Sequence, residues 1–347
     1  MTFAVNIAQG GSNNTTMRNR IINGAMVFDQ RNSGAAVTPA TNTYLVDRWQ
    51  AVPSDASKLT YQQVADAPAG FKFSLKVTVA SSATPTSYNI LWQPIEGFNI
   101  IDLSFGAAGA QTITVSFWIK GSVAGNYSAF LGNNAGRSYL VSVPVTTSWA
   151  YQTVSITGDT SGTWPTTNAA GMYLGFDMGS DASRYSTAGS WLASNVYGVT
   201  GNLKFISQVN GSTLNITGVQ LEAGSTASPF ENRLYGTELA LCQRYCYVPS
   251  AVYQAATASG LQYNASAGFF SLQFPVFMRT AATLNSITAS NWAVLYQGSA
   301  AIPTAITLNA SAPSGASLFT SQTLGAGNPI ILWPTNTSAQ MIFSAEL

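Results

Sequence analysis

Alternation of apolar and polar residues dominates the first two thirds of the chain. Over 112–120, Ile113, Val115, Phe117 and Ile119 fall on one side, the period of two that a half-buried β-strand requires. The stretch 149–156 alternates in the same way. Further short runs lie near 58–64, 71–80, 87–93, 126–132, 137–145, 171–178, 202–209 and 212–222, with turn residues between them. Ahead of these, 18–31 and 44–52 read as strands interrupted by charged residues. About ten to twelve short strands without a helix predict an all-β, two-sheet antiparallel sandwich, and within that class a jelly roll.

The pattern changes after 224. The strand that carries Gly218, Val219 and Leu221 ends at Gly224, and Pro229 breaks the chain. Leu239, Cys242 and Cys246 then stand three and four apart, widened by Leu241 and Tyr245. That spacing predicts a short linking helix with Thr237 as its N-cap. Beyond it the chain is rich in Ala, Ser, Thr and Gly, with strands expected near 261–265, 268–277, 292–298, 304–310, 329–333 and 339–345. The organisation expected is an arm over 1–20, a sandwich over 21–235, a linking helix over 236–247 and a second small β domain over 248–347. The long loop over 179–201 has no strand pattern, and loops of that length are often functional or packed by their own side chains.

Composition narrows the function classes. Of 347 residues only 8% are charged, against a usual quarter, and the net charge is +1. Such a chain has no basic field for nucleic acid and no polybasic anchor, and no apolar run is long enough to span a bilayer. The N-terminus has no basic segment followed by an apolar one, so no secretory signal is expected. There is no histidine, which removes the commonest general base and most zinc sites. Cys242 and Cys246, at i and i+4, suit a disulfide poorly and read as buried thiols. Acidic residues number 13, and glycan cleavage needs two of them facing one cleft. No enzymatic activity and no cofactor are expected. Asp159, or Asp177 with Asp181, could lend oxygens to a calcium ion, although Asx turns account for them more simply and no metal is expected.

Several motifs agree in order with one family. The run Arg18 to Met26 (Arg-Asn-x-Ile-Ile-Asn-Gly-x-Met), Val46 to Trp49, Leu91 to Gly97, Ser116 to Lys120, Gly158 to Trp164, Thr217 to Gly224 and Glu238 to Tyr245 resembles bacteriophage tail-fibre and minor structural proteins. The resemblance implies a carbohydrate-binding-like jelly roll joined to a variable tip, on the surface of a virion assembled in the host cytoplasm. It implies a short tail fibre that adheres to host surface glycan through repeated weak contacts. A head fibre or capsid decoration protein is the second reading, and a glycan depolymerase a more distant third. The arm over 1–20 would grip another virion protein.

Aromatic rings are the candidate contacts, because the C–H face of a pyranose stacks on them. Tyr185, Trp191 and Tyr197 sit on or beside the long loop; Tyr253, Tyr263, Trp292, Tyr296 and Trp333 sit in the tip. Trp49, Trp92, Trp118, Trp149 and Trp164 lie in strand or turn motifs and read as structural. In threefold fibres three short helices can meet on the axis. That makes Leu239, Cys242, Tyr245 and Cys246 candidates for a homotrimer interface.

Overall fold

The computed structural model describes residues 17–249, 252–285, 287–324 and 327–347. The chain forms two compact units, Met1–Leu234 with Leu347, and Tyr235–Glu346. The first unit contains, in order, β1 (Thr43–Tyr44), β2 (Gln50–Pro53), β3 (Leu59–Val64), β4 (Ser74–Val79), β5 (Asn89–Glu96), β6 (Ile113–Gly121) and β7 (Gly125–Gly132). There follow β8 (Ser138–Val145), β9 (Ala150–Ile156), β10 (Ala170–Asp177), β11 (Tyr185–Ser186), β12 (Trp191–Leu192), β13 (Gly198–Val199) and β14 (Thr213–Ala223). One sheet runs β1-β2-β5-β10-β7-β8-β12 and the other β3-β4-β14-β6-β9. Every pair within these two sheets is antiparallel.

From β4 to β14 the chain changes sheet at almost every connection; only the β7–β8 hairpin stays in one. That wrapping is a jelly roll. The alternation in β6 does what its period requires: Ile113, Val115, Phe117 and Ile119 are all buried. They share one core with Leu75 and Val77 of β4, Leu91 of β5 and Leu174 and Phe176 of β10.

Two expected strands are not strands. Over 202–209 the chain makes a short 3-10 turn, Phe205–Ser207, whose Phe205 and Ile206 drop into the core. The apolar run there reflects burial of a plug and not a ladder. Over 18–31 the chain is irregular and is held by buried amides. Asn19 accepts from the N–H of Ile21 and Leu221 and donates to Val219 O. Gln93 both accepts from Ile22 N and donates to Ile22 O, each at 2.8 Å. Asn23 makes three bonds, to Phe28 O, to Asp47 O and from Phe28 N. Glu231 accepts from the backbone of Arg18 and Asn19 and pairs with Arg233 at 3.0 Å.

Buried polar groups have to be satisfied, so a segment with no ladder of its own needs side chains like these. Residues 18–20 therefore belong to the sandwich: Asn19 and Arg20 are buried, and Arg20 N donates to Leu221 O. The rest of the expected arm, 1–16, lies outside the described residues. Asp47 and Arg48 are also buried. Asp47 faces Gln30 and Arg31, and Arg48 donates to Pro94 O at 2.6 Å.

The second unit opens with α1 (Tyr235–Gln243), followed by β15 (Cys246–Tyr247), β16 (Ala258–Asn264), β17 (Ala267–Gln273), β18 (Thr283–Asn285) and β19 (Trp292–Tyr296). It continues through β20 (Ser299–Ala301), β21 (Ala305–Ala312), β22 (Gly315–Ser321), β23 (Pro329–Pro334) and β24 (Ile342–Ser344). A seven-stranded sheet runs β20-β19-β23-β16-β17-β22-β21, beside a three-stranded sheet β15-β24-β18. The two edges, β20 and β21, are separated in sequence only by residues 302–304. So short a link spans at most about 15 Å, which forces the large sheet to curl until its edges approach. Phe270, Leu272, Trp292, Val294, Leu318 and Leu332 fill the inside of the curl.

Three sequence expectations are corrected in this unit. The helix begins before Thr237, which lies within α1 and is not its cap, and it ends at Gln243. Cys246 therefore lies in a strand. Cys242, Tyr245 and Cys246 are fully buried within the single chain, so they present no surface to a second copy; Leu239 is half-buried. Of the stripe that suggested a three-helix bundle, Cys242, Tyr245 and Cys246 are thus covered, while Leu239 and Leu241 keep partial exposure. Trp292 is fully buried in the core and offers no ring to a ligand.

Candidate functional site

The outer face of the seven-stranded sheet of the jelly roll carries a cleft. Trp92 of β5, Gly175 of β10 and Phe130 of β7 stand in one row across three strands. A side chain at Gly175 would overlap the Phe130 ring, so glycine there lets that ring lie across the sheet. The long loop after β10 folds back over the same face. Its β11 and β13 pair in parallel, and Val196 and Val199 join Val52, Ile90, Phe130 and Leu140 in a small separate core. The loop is thus packed by its own side chains, and its Tyr197 and Asn195 form one wall of what remains open.

That opening is narrow, with a volume of about 20 Å3, and is lined by Trp92, Phe130, Asn133, Asn134, Arg137, Tyr173, Asn195 and Tyr197 together with Gly132 and Ser138. It is small beside the roughly 300–1,000 Å3 of common small-molecule sites. The rings of Trp92 and Tyr173 lie 4.3 Å apart, tilted by 31°, and Trp92 is fixed by its Nε1 donating to Gln50 Oε1 at 2.8 Å. Tyr197 packs on Phe130 and Tyr88, and Arg184 caps Tyr88. Tyr173 accepts a bond from Asn134 Nδ2 at 2.5 Å, leaving its own hydroxyl hydrogen to give. Burial raises the pKa of both Tyr173 and Tyr197, so both hydroxyls remain protonated donors at neutral pH.

Arg137 is the cation of the cleft and its charge is matched. Its Nε and Nη2 donate to both oxygens of Asp159 at 2.6 and 2.7 Å, and that bond raises the pKa of the guanidinium. Asn133 is structural: it accepts from Ala135 N and Arg137 N and donates to Thr163 O. Asn134 and Asn195 are exposed at the rim. The result is a neutral, hydrogen-bonding cleft with aromatic walls.

Of the residues expected from sequence, the structure brings only Tyr197 into this cleft. Trp191 pairs in β12 with β8, donates its Nε1 to Thr157 O at 2.7 Å, and sits edge-on to Phe105, Tyr139 and Trp164. Tyr185 is half-buried beside Gly198 and under Lys204. Tyr253 and Tyr263 are exposed in the second unit, Tyr263 next to Phe319, while Tyr296 and Trp333 are half-buried. The calcium candidates are engaged otherwise. Asp159 is held by Arg137 and Ser161 N, Asp177 accepts from Gly179 N and Ser180 Oγ, and Asp181 caps the short turn at Ser183. Among the described residues no three His, Cys, Asp or Glu side chains gather where a metal could sit. Trp92, Tyr173, Asn134, Arg137 and Asn195 were not expected from sequence. Trp92 read as structural, and only the β5–β10 register turns it and Tyr173 to the same face.

No protein-family model matches the chain, and no curated protein sequence matches it. Solved structures with a similar fold include the module TmCBM61 in complex with β-1,4-galactotriose, at 11% identity and TM-score 0.32, over 60% of this chain and 99% of that one. The N-terminal cellulose-binding domain of β-1,4-glucanase C from Cellulomonas fimi matches at 16% identity and TM-score 0.31, over 52% and 90%. The CBM22-1 xylan-binding domain of Xyn10C from Paenibacillus barcinonensis matches at 11% and 0.28, over 56% and 95%. Likenesses this loose say nothing of what the present chain binds, and the reading below rests on its own residues.

Proposed function

We propose that this protein is a non-catalytic glycan-binding protein whose cleft holds a neutral sugar. The observation that carries the reading is the Trp92–Tyr173 ring pair facing Tyr197 across a cleft rimmed by Asn134 and Asn195. A sugar ring offers two apolar C–H faces and a girdle of hydroxyls. Aromatic walls suit the faces, and amides and phenols suit the girdle, because each can give or take a hydrogen bond. A matched Arg137–Asp159 pair adds no net charge, which favours neutral over anionic sugars. Cleavage would need a second carboxylate about 5–10 Å from the first, and Asp159 is already committed to Arg137.

The motif resemblance to bacteriophage tail-fibre proteins supports a place on a phage particle, with residues 1–16 as the docking arm. Display in several copies would turn weak single-site contacts into firm adhesion. The test is a panel of immobilised neutral glycans. The full chain is expected to bind at least one, and Trp92→Ala to weaken that binding by about tenfold or more, as expected for the loss of an aromatic anchor. Equal binding by both proteins, or none by either, would overturn the reading. Labelling particles with an antibody to the chain distinguishes tail from head.

A further inference from the structure

The opposite face of the sandwich carries a second aromatic surface with a different charge. On the outside of the five-stranded sheet, Trp118 of β6 and Tyr151 of β9 stand in register, their rings 5.3 Å apart. On the other side of Trp118, β14 has a bulge at Gly218, which adopts a φ of +62°. A Cβ at Gly218 would lie 2.7 Å from the Phe71 ring and 3.0 Å from the Trp118 ring, so the missing side chain is what lets both rings lie on the sheet. Phe71 in turn meets Phe230 edge-on at 5.0 Å. The four rings make a strip one ring wide that crosses three strands. Tyr151 is 43% exposed.

The strip is bordered by a basic row. Lys76, Asn215 and Lys120 stand in register on β4, β14 and β6, which puts the two lysines about 10 Å apart. Lys120 pairs with Asp66 at 2.6 Å and lies over the Trp149 ring, whose Nε1 reaches Asp66 at 3.3 Å. Lys72, beside Phe71, is exposed. Lys72, Lys76 and Lys120 outnumber Asp66, and Glu222 and Glu231 are matched by Arg18 and Arg233, which leaves this surface positive in a chain whose net charge is only +1. On the other border, Ser228 and Glu231 rise over the sheet, bonded to Glu222 and Gln220.

We infer that this strip is a second ligand site, and that it takes a carboxylated polysaccharide chain. A row of ring faces matches successive sugar rings, and lysines spaced along the row match carboxylates repeated along an acidic glycan. The neutral cleft on the far sheet has the same aromatic chemistry without the positive border, so the two sites select different sugars.

The test uses the full chain carrying Trp92→Ala, so that the cleft cannot answer for the strip. The probes are hexamers of galacturonate, mannuronate and sialic acid, with cellohexaose as the neutral control. The readout is the indole N–H resonances of Trp118 and Trp149. At least one acidic hexamer is expected to move both saturably, with affinity that falls as salt rises. Lys76→Ala should weaken binding by about fivefold, and Tyr151→Ala, which removes an exposed ring without opening the core, by about tenfold. Three results would overturn the inference: no acidic hexamer moves these resonances, cellohexaose moves them equally well, or they move with protein concentration alone. The last would assign the strip to contact between copies. None of these outcomes touches the cleft, whose own test uses different residues and neutral glycans.

Discussion

Asn23 shows how much of this protein's stability sits in single amides. It is fully buried, adopts a φ of +58°, and ties the backbone at Phe28 and Asp47 through three bonds. Removing its side chain takes a partner from Phe28 N, Phe28 O and Asp47 O, and each buried bond lost costs free energy. Asn23→Ala should cost about 3 kcal/mol in chemical denaturation, whereas an exposed amide such as Asn134 should cost little when truncated. Asp177 is a second case, with a sign that runs opposite to the usual acid. Burial pushes its carboxyl up to about 6, against the hydrogen bonds that Oδ1 accepts from Gly179 N and Ser180 Oγ. The folded protein holds that proton more tightly than the unfolded chain. Its contribution is therefore fully present below the unfolded value near 4 and is lost as pH rises through 6. Asp177→Asn should leave stability unchanged at pH 4 and raise it by on the order of 2–3 kcal/mol at pH 8, measured as a shift in denaturation midpoint at each pH.

At the scale of elements, the cleft depends on glycine at one strand position. Gly175 lies between Trp92 and Phe130 in register, and the ring of Phe130 fills the space a side chain would take. Gly175→Ala should push that ring toward the loop that bears Tyr197, lowering glycan affinity several-fold while the sandwich still folds, as read by titration and circular dichroism together.

This scale also marks what was legible in the sequence. Strands with clean alternation, such as β6 and β9, were readable to within a residue or two because one face meets the core and the other does not. The stretch 202–209 was misread because an apolar plug and an apolar strand look alike over so few residues. The segment 18–31 was misread because its hydrogen bonds go to Asn19, Asn23 and Gln93, and a sequence does not show which amides reach which carbonyls. The strand β22, Gly315–Ser321, was missed; its inward positions are Ala316, Leu318 and Thr320, a weak pattern with one large apolar residue.

At the scale of the whole molecule, several of the motifs singled out in the sequence build scaffold. The runs around Asn19, Asn23, Trp49, Gln93 and Glu222 all meet in buried contacts that close the sandwich. The same run that carries Gln93 also carries Trp92, so one stretch serves both scaffold and cleft. Tyr197 was the one cleft residue legible beforehand, because a long patternless loop is conspicuous. Trp92 and Tyr173 were not, because their meeting is set by the pairing of β5 with β10, strands separated by more than seventy residues. The expected trimer interface narrows in the same way: of the stripe that looks free in sequence, Cys242, Tyr245 and Cys246 are buried within the chain, while Leu239 and Leu241 are half-buried.

The central claim is that a sugar sits against Trp92. The most direct measurement is the indole N–H spectrum of the full chain, titrated with a neutral oligosaccharide selected by the glycan panel. The account predicts a saturable shift of the Trp92 resonance, with the fully buried Trp49 and Trp292 unmoved. A titration in which Trp92 stays fixed while binding is observed elsewhere would contradict it.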